Sequence, residues 1–351
     1  MHPVLVVKDQ RFTQHLEGLL HLENPRRNRA FESILENPCL DGRWQLVKPD
    51  LATVEALARV HTRAYIQQVA RTCGTELTSL DFDTQASPNT WETARLAAGG
   101  VFNLVDRLWQ NGARRGFAFV RPPGHHALPD RAMGFCIFNN VALGARHLLA
   151  CRGARKIMIV DIDAHHGNGT QAAFYDTADV LFVSIHQSPA YPGTGMLGET
   201  GRGAGEGFTV NVPLGKGQGD RDYGRIIHFL VRPLAHAYQP DMLLVDCGFD
   251  LYLHDRMGGM RVTPDGYALI TALLLEIAEE VCEGRIAFIA EGGYSMKGIR
   301  QCGLRVMQTL CGVSAYPGND IAKIKKSPPS RFSVLKKVLA VQKKYWGAVL
   351  I

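Results

Sequence analysis

Five short apolar runs constrain this chain more than any other feature: 116–120, 156–160, 180–183, 242–245 and 286–290. Each is continuous rather than alternating, the pattern of strands buried on both faces of a parallel sheet. Helical patterns intervene, for example over 140–150 and 264–283; the second opens on Pro264-Asp-Gly, with proline in its first turn. This alternation predicts an α/β fold, a central mostly parallel sheet with helices on both faces. In such sheets the functional site forms at the carboxyl ends of the strands.

Composition narrows the alternatives. The chain has 351 residues, 46% hydrophobic and 21% charged, which excludes disorder or coiled coil as a description of the whole. The longest apolar stretch, around 268–275, is far shorter than the roughly 18–20 residues that cross a bilayer. The N-terminus lacks the charged, apolar, small-residue order of a signal peptide. Eight cysteines, at 39, 73, 136, 151, 247, 282, 302 and 311, include no C-x-x-C pair. They read as small core residues in a reducing compartment, so a cytoplasmic location is expected, with no membrane contact. The net charge of +6 is misleading, because eight Lys or Arg and no acid fall in 321–351. That leaves 31 basic against 33 acidic residues in 1–320. The expected organisation is therefore one domain over 1–320, with 321–351 a basic helical extension packed on it. The Pro-Pro segment at 325–330 is a hinge, followed by a helix over 333–349 that places Leu335, Val338, Leu339, Gln342 and Trp346 on one face. Its lysines read as a solvated face rather than a nucleic-acid site.

Each apolar run ends in unusual chemistry. Arg121-Pro-Pro-Gly-His125-His126 follows the first and Asp161-Ile-Asp163-Ala-His165-His166-Gly-Asn168 the second. Ser184-Ile-His186, Asp246-Cys-Gly-Phe-Asp250 and Glu291-Gly-Gly-Tyr294 follow the others. Five polar clusters at five strand ends converge on one place. Asp163, His165 and Asp250 read as ligands of a divalent first-row ion, one imidazole and two carboxylates balancing its charge. Asp163 and His165 are two apart, so on a strand-like segment they point the same way. His125 and His126, on a turn stiffened by proline, read as a base and acid pair. Asp161 and Asn168 are available to orient them. Tyr294 reads as a phenol that polarises a carbonyl. The alternative for any one of these groups is a structural role in the core.

These stretches resemble the histone deacetylase and acetylpolyamine amidohydrolase superfamily, in its bacterial and class II-like branch. The resemblance is carried by Arg-Pro-Pro-Gly-His-His-Ala (121–127), Gly-Phe-Cys-Ile-Phe-Asn-Asn (134–140), Asp-Ile-Asp-Ala-His-His-Gly-Asn-Gly-Thr-Gln (161–171), Tyr-Pro-Gly-Thr-Gly (191–195), Gly-Phe-Asp (248–250) and Glu-Gly-Gly-Tyr (291–294), and covers about 15–315. It implies an arginase-like single domain and zinc-dependent hydrolysis of an N-acyl amide, with iron(II) compatible with the same ligands. Asp163, His165 and Asp250 become the zinc ligands, His126 the base and acid, and His125, backed by Asp161, its electrostatic partner. Tyr294 becomes the carbonyl-polarising tyrosine. Gly134, Phe135 and Tyr191 become the walls of a tunnel for an acyl-lysine stem, Met257 its mouth, Asp83 a rim residue and Arg27 an inner arginine. Tyr191 stands where the family usually has Phe, and Asn168 where class I members have Asp. The resemblance also implies structural K⁺ or Na⁺ sites. The inner one would use Asp161, Asp163, His165 and Ser184, the outer one Phe174, Thr177 and Val180.

Three other functions compete. A two-manganese ureohydrolase needs carboxylates where this chain has Gly167 and Gly248. A non-catalytic acyl-lysine binder needs a loss at some catalytic position, and all are filled. Acetylpolyamine deacetylases, the competitor within the family, resemble one another in placing a Glu at the position of Met257, where it holds a distal ammonium. The neighbouring Arg256 also repels a polycation. The expected substrate is thus an acyl-lysine protein or peptide, with a small acylated amine the alternative. A homo-oligomer is compatible with all of this.

Overall fold

The apolar runs become parallel strands, and three more strands join them. A computed structural model describes residues 2–110, 112–313, 318–326 and 332–347. Its strands are β1 (Val4–Val7), β2 (Trp44–Val47), β3 (Thr78–Ser79), β4 (Gln85–Ala86), β5 (Arg115–Ala118), β6 (Ile157–Asp161), β7 (Val180–Gln187), β8 (Thr209–Leu214), β9 (Met242–Cys247) and β10 (Ile286–Ala290). Eight form one sheet in the order β2-β1-β5-β10-β9-β6-β7-β8, all pairs parallel, while β3 and β4 make a small antiparallel ribbon.

The alternation of strand side chains sorts the core into two layers. On β9, Leu243, Val245 and Cys247 join the apolar cluster on one face, and Met242 and Leu244 that on the other. The helix Asn140–Cys151 covers the second face through Val141, Ala142, Ala145 and Leu148. The helix Pro264–Val281 covers the first, with Thr263 capping it by accepting from Gly266 N. Helices on both faces follow, and most of the apolar stretch 268–275 is buried against the sheet. No helix among the described residues is long and apolar enough to cross a membrane.

Several strand limits differ from the sequence expectation. Asp161, Ser184 and Asp246 lie inside their strands rather than after them, and β7 runs on to Gln187. β1, β2 and β8 carried too little pattern to stand out: two have four residues, and β8 mixes Thr and Asn into its apolar run. Five cysteines are buried, but Cys73 and Cys151 are exposed and do not serve the core.

The last helix, Ser333–Trp346, covers the outer strand β8. Leu335, Val338 and Gln342 are buried, Gln342 Nε2 donates to Thr209 O (3.4 Å) and Trp346 Nε1 to Gly207 O (3.0 Å). Lys336, Lys337, Lys343 and Lys344 face outward. Most of the expected hinge at 325–330, and the helix beyond Gly347 to 349, lie outside the described residues.

Candidate active site

The turn after β5 is held from two sides. Gly124 N and His125 N donate to Glu291 Oε2 (2.7 and 3.1 Å), and Gly169 N and Thr170 N donate to His125 O (3.0 and 3.1 Å). The turn therefore sits on the amino end of the helix Asn168–Phe174. The two imidazoles are buried, with ring centroids 4.0 Å apart. His125 Nδ1 lies 3.1 Å from Asp161 Oδ2, and His126 Nδ1 lies 2.8 Å from Asn168 Oδ1. Burial lowers the pKa of His125, but the carboxylates of Asp163 and Asp161 more than reverse this and push it up to about 10. His126 goes the other way: burial, then His125 and His165, hold it well below the usual histidine range. Two adjacent rings thus acquire opposite protonation tendencies, as paired acid and base groups require.

Asp163, His165 and Asp250 converge above the ends of β6 and β9. Their ligand atoms all lie within 4.8 Å of one another. His165 Nδ1 is 3.1 Å from Asp163 Oδ1 and 3.0 Å from Asp250 Oδ2. The segment 163–165 is a bend, not a strand, so the parallel pointing expected from strand spacing is replaced by a local fold-back in which His165 N donates to Asp163 Oδ1 (2.9 Å). The remaining lone pairs are oriented by the backbone. Ala164 N donates to Asp250 Oδ1 and Gly292 N to Asp163 Oδ2, both at 2.9 Å. Burial, then the charge of Asp163, pushes Asp250 up to about 7. Two buried carboxylates beside one imidazole form a donor set that a divalent ion fits, because the ion supplies the charge each carboxylate is held for. A second cluster, His125, Cys136 and Glu291, suits a metal poorly. Glu291 Oε2 already serves two backbone amides, and burial holds the Cys136 thiol protonated.

The ureohydrolase alternative fails on space. A side chain at Gly248 would begin 2.1 Å from Asp163 Oδ2, and one at Gly167 2.1 Å from Asp161 Oδ2. Neither position has room for the extra carboxylate of a second metal site.

A cavity of about 250 Å³ leads down to His126 and His165. Phe135 and Tyr191 wall it, Met257, Asp83 and Phe82 stand at its mouth, and Gly134 and Tyr294 complete the lining. Gly134 has φ +58°, and a Cβ there would lie 2.4 Å from His126 Cδ2, so only glycine lets the wall close on the ring. Phe135 also takes a left-handed conformation (φ +67°), its N donating to Thr84 Oγ1 (3.0 Å). Asp83 Oδ1 accepts from Gly134 N (3.0 Å). The ring of Tyr191 meets that of His126 edge-on (5.1 Å, 89°). Its hydroxyl has no partner among the described residues, and burial and then Asp83 push its pKa up. Burial above all raises Tyr294 well beyond the ordinary phenol range, so it is a neutral donor.

Ser184 is in register with Asp161 on β7 and β6, and its hydroxyl lies 3.0 Å from His186 Nδ1. Phe174 and Thr177 are joined by a turn hydrogen bond (3.2 Å) that leads to Val180 at the start of β7.

Three supports escaped sequence reading. Asp255 Oδ2 accepts from Tyr294 N (2.7 Å) and Ser295 N (2.8 Å), fixing the Tyr294 backbone. Glu291 holds the histidine turn, as above. Glu23, fully buried, bridges Arg121 (Nη2 to Oε2, 2.8 Å) and Arg27 (Nη1 to Oε1, 2.9 Å). Arg27 in turn donates to Gly293 O (2.8 Å) and Glu291 O and lies over the Tyr294 ring, 5.4 Å from its centroid. Glu23→Gln keeps the shape but removes the charge between two buried guanidinium groups. It is expected to lower unfolding free energy by about 1.5–3 kcal/mol, the range for hydrogen bonds to charged groups. Unchanged chemical denaturation would show the triad to be energetically idle.

Comparison with known proteins places this geometry. The histone deacetylase domain family matches residues 21–310. A "Probable deacetylase" of Archaeoglobus fulgidus is 37% identical over 326 residues, 89% of this chain and 87% of that protein. A "Histone deacetylase-like amidohydrolase" of Pseudomonas aeruginosa is 36% identical over 84% of this chain and 77% of its own length. "Histone deacetylase 15" of Arabidopsis thaliana is 36% identical over 98% of this chain, which spans only 62% of that protein. The crystal structure of the HDA15 HD domain superposes with a TM-score of 0.89 at 34% identity, covering 99% of this chain and 96% of that one. With the domain matched over most of its length and the fold shared throughout, the chain belongs to the histone deacetylase family.

Proposed function

We propose that the protein is a metal-dependent amidohydrolase that removes acyl groups, acetyl or similar, from the side-chain amine of lysine in proteins or peptides. The observation that carries this is the narrow cavity ending on the His126 imidazole beside a two-carboxylate, one-histidine cluster. Asp163, His165 and Asp250 hold the ion, with zinc the expected occupant and iron(II) compatible with the same donors. When bound, it supplies Lewis-acid activation of water and of the amide carbonyl.

The chain's own residues do the rest. Phe135 and Tyr191 grip the aliphatic lysine stem and exclude water. Because Asn168 Oδ1 accepts from His126 Nδ1–H, the free lone pair of His126 is at Nε2. That nitrogen takes the proton from the attacking water and returns it to the departing amine. Asp161 keeps His125 cationic beside it, so His125 acts by charge rather than as the base. Tyr294 donates its hydroxyl proton in a hydrogen bond to the amide oxygen as negative charge develops there. Asp83 at the rim takes the substrate backbone, and Arg27 underpins the Tyr294 turn. Structural K⁺ or Na⁺ fits beside Asp161, Asp163, His165 and Ser184, and near Phe174, Thr177 and Val180. Residues 1–320 form the catalytic domain and 321–351 its packed extension, in a cytoplasmic protein.

Acetylpolyamines are the weaker substrates, because Met257 at the mouth offers no carboxylate for a distal ammonium and Arg256 is its neighbour. A panel of lysine peptides differing only in acyl group, run beside acetylated polyamines with bound metal counted, tests the reading. Turnover of polyamines alone would overturn the lysine assignment, and no turnover of any amide would overturn catalysis.

Tyr294→Phe deletes one hydroxyl and is expected to lower kcat by about 10² to 10³, or roughly 2.7–4 kcal/mol. KM and metal content should change little. Trifluoroacetyl-lysine, with a more electrophilic carbonyl, should lose less. Equal losses on both substrates would make Tyr294 a positioning group.

A further inference from the structure

We propose that the buried hydroxyl of Thr84 is a positioning group for the substrate tunnel, locking Phe135 into the wall and orienting Asp83 at the rim. The wall is a tight turn. Met133 N donates to Cys136 O (3.3 Å) and Cys136 N to Met133 O (3.0 Å), so Gly134 and Phe135 are its two central residues. Both are left-handed, at φ +58° and +67°. Turns of this kind favour glycine at the second central position, and a phenylalanine there is strained. This chain keeps the strained residue, and its ring meets His21 (centroids 4.9 Å apart) and Tyr294 (5.8 Å) edge-on. Strain at a cavity wall persists only where the surroundings hold it.

Two consecutive side chains at the end of the β3–β4 ribbon do the holding. Gly134 N donates to Asp83 Oδ1 and Phe135 N to Thr84 Oγ1, both at 3.0 Å. The Thr84 hydroxyl donates its own proton to Asp83 Oδ1 (2.7 Å). Its proton and one lone pair are therefore both in use. Donation to a carboxylate polarises Oγ1 and makes it a stronger acceptor for Phe135 N. Thr84 is buried, and its backbone is fixed inside the ribbon, where Thr84 O accepts from Leu80 N (2.8 Å) and Asp81 N (3.2 Å). Its branched Cβ restricts the side-chain torsion further. On the other side of the clamp, Asp83 Oδ1 takes both donors, which leaves Oδ2 as the oxygen for the substrate backbone. One hydroxyl thus ties the wall that grips the lysine stem to the rim that holds the peptide.

The positioning role rests on the proposed reaction, but the lock on Phe135 does not. Stem and backbone are gripped alike in the ground and transition states, so loosening the clamp lowers the fraction of protein with a formed wall and raises KM rather than lowering kcat. Hydrogen exchange at the Phe135 amide is followed by NMR in full-length protein labelled with ¹⁵N-phenylalanine, the signal being identified by its loss in Phe135→Leu. The wild-type amide should be protected. Thr84→Val keeps the shape and deletes the hydroxyl, and should speed that exchange about tenfold or more. KM for an acetyl-lysine peptide should rise about tenfold, with kcat within about threefold and bound divalent metal unchanged. Thr84→Ser restores the hydroxyl and should bring exchange and KM back to within about threefold of wild type. Thr84→Ala is read in the same way as Thr84→Val should the buried methyl of valine prevent folding. An unprotected Phe135 amide in the wild type, unchanged exchange without the hydroxyl, a Ser variant as impaired as the Val variant, or a fall in kcat at constant KM would each overturn the proposal. Hydroxyl-dependent protection in an enzyme that turns over no acyl-lysine would leave the lock standing and sink the substrate assignment instead.

Discussion

Asp250→Asn is expected to release the divalent ion and abolish turnover while the fold persists. Asp250 is fully buried, with Oδ1 accepting from Ala164 N and Oδ2 facing His165 Nδ1. Asparagine preserves the volume and the oxygen that Ala164 N requires. It replaces the anionic oxygen toward His165 by a neutral amide and leaves a doubly charged ion with one carboxylate. Groups that merely orient ligands cost about 10 to 100-fold in metal affinity, so loss of a ligand's charge should exceed roughly 10²-fold. The body should not unfold, because burial and Asp163 already push the Asp250 carboxyl up to about 7 in the ion-free site, and a neutral side chain relieves that repulsion. Metal content per chain and thermal melting are measured together. Wild-type occupancy in the variant would remove Asp250 from the ligand set, and a lost melting transition would make its role structural.

What was legible in the sequence is what is local. The runs that became β6, β7, β9 and β10 were readable because both their faces are buried, and their ends were readable because Asp, His and Ser there have no packing reason to be present. His125 with Asp161, and His126 with Asn168, could be paired because the partners flank one motif. The supports were not legible, since each joins residues with no shared pattern. Glu23 meets Arg121 across 98 positions of sequence, and Asp255 accepts from Tyr294 N across 39 positions that contain the helix Pro264–Val281 and β10. Nothing at Glu23 distinguishes it from a surface acid until the chain folds around it. Strand spacing also misled at 163–165. Metal-type side chains there are brought together by a bend in the backbone, and the two-residue period holds only for extended chain.

His126→Ala is expected to lower kcat by about 10² to 10⁴-fold, the usual contribution of a positioned acid–base group. Metal content should be retained, because His126 is not among the three clustered ligands. The geometry also fixes a pH dependence. Asn168 Nδ2 points to Met133 Sδ (3.2 Å), which orients the amide so that Oδ1 accepts from His126 Nδ1 (2.8 Å). The proton is thereby kept on Nδ1, and Nε2 remains the basic atom. Burial, then His125 and His165, hold the pKa of His126 well below the usual value, and a cation in the ligand cluster acts in the same direction. A lowered pKa keeps the base neutral as pH falls, so the acid limb of kcat/KM that reports His126 should lie below about 6.5. Asn168→Asp places a negative charge against Nδ1–H and favours the imidazolium. The limb should then rise by about one pH unit or more, with activity lost on its acid side and retained on the plateau above. Asn168→Ala gives the control, since it removes the acceptor without adding charge and should reduce the plateau without raising the limb. A limb that stays in place in Asn168→Asp, or moves down, would mean that the titrating base is not the ring Asn168 holds.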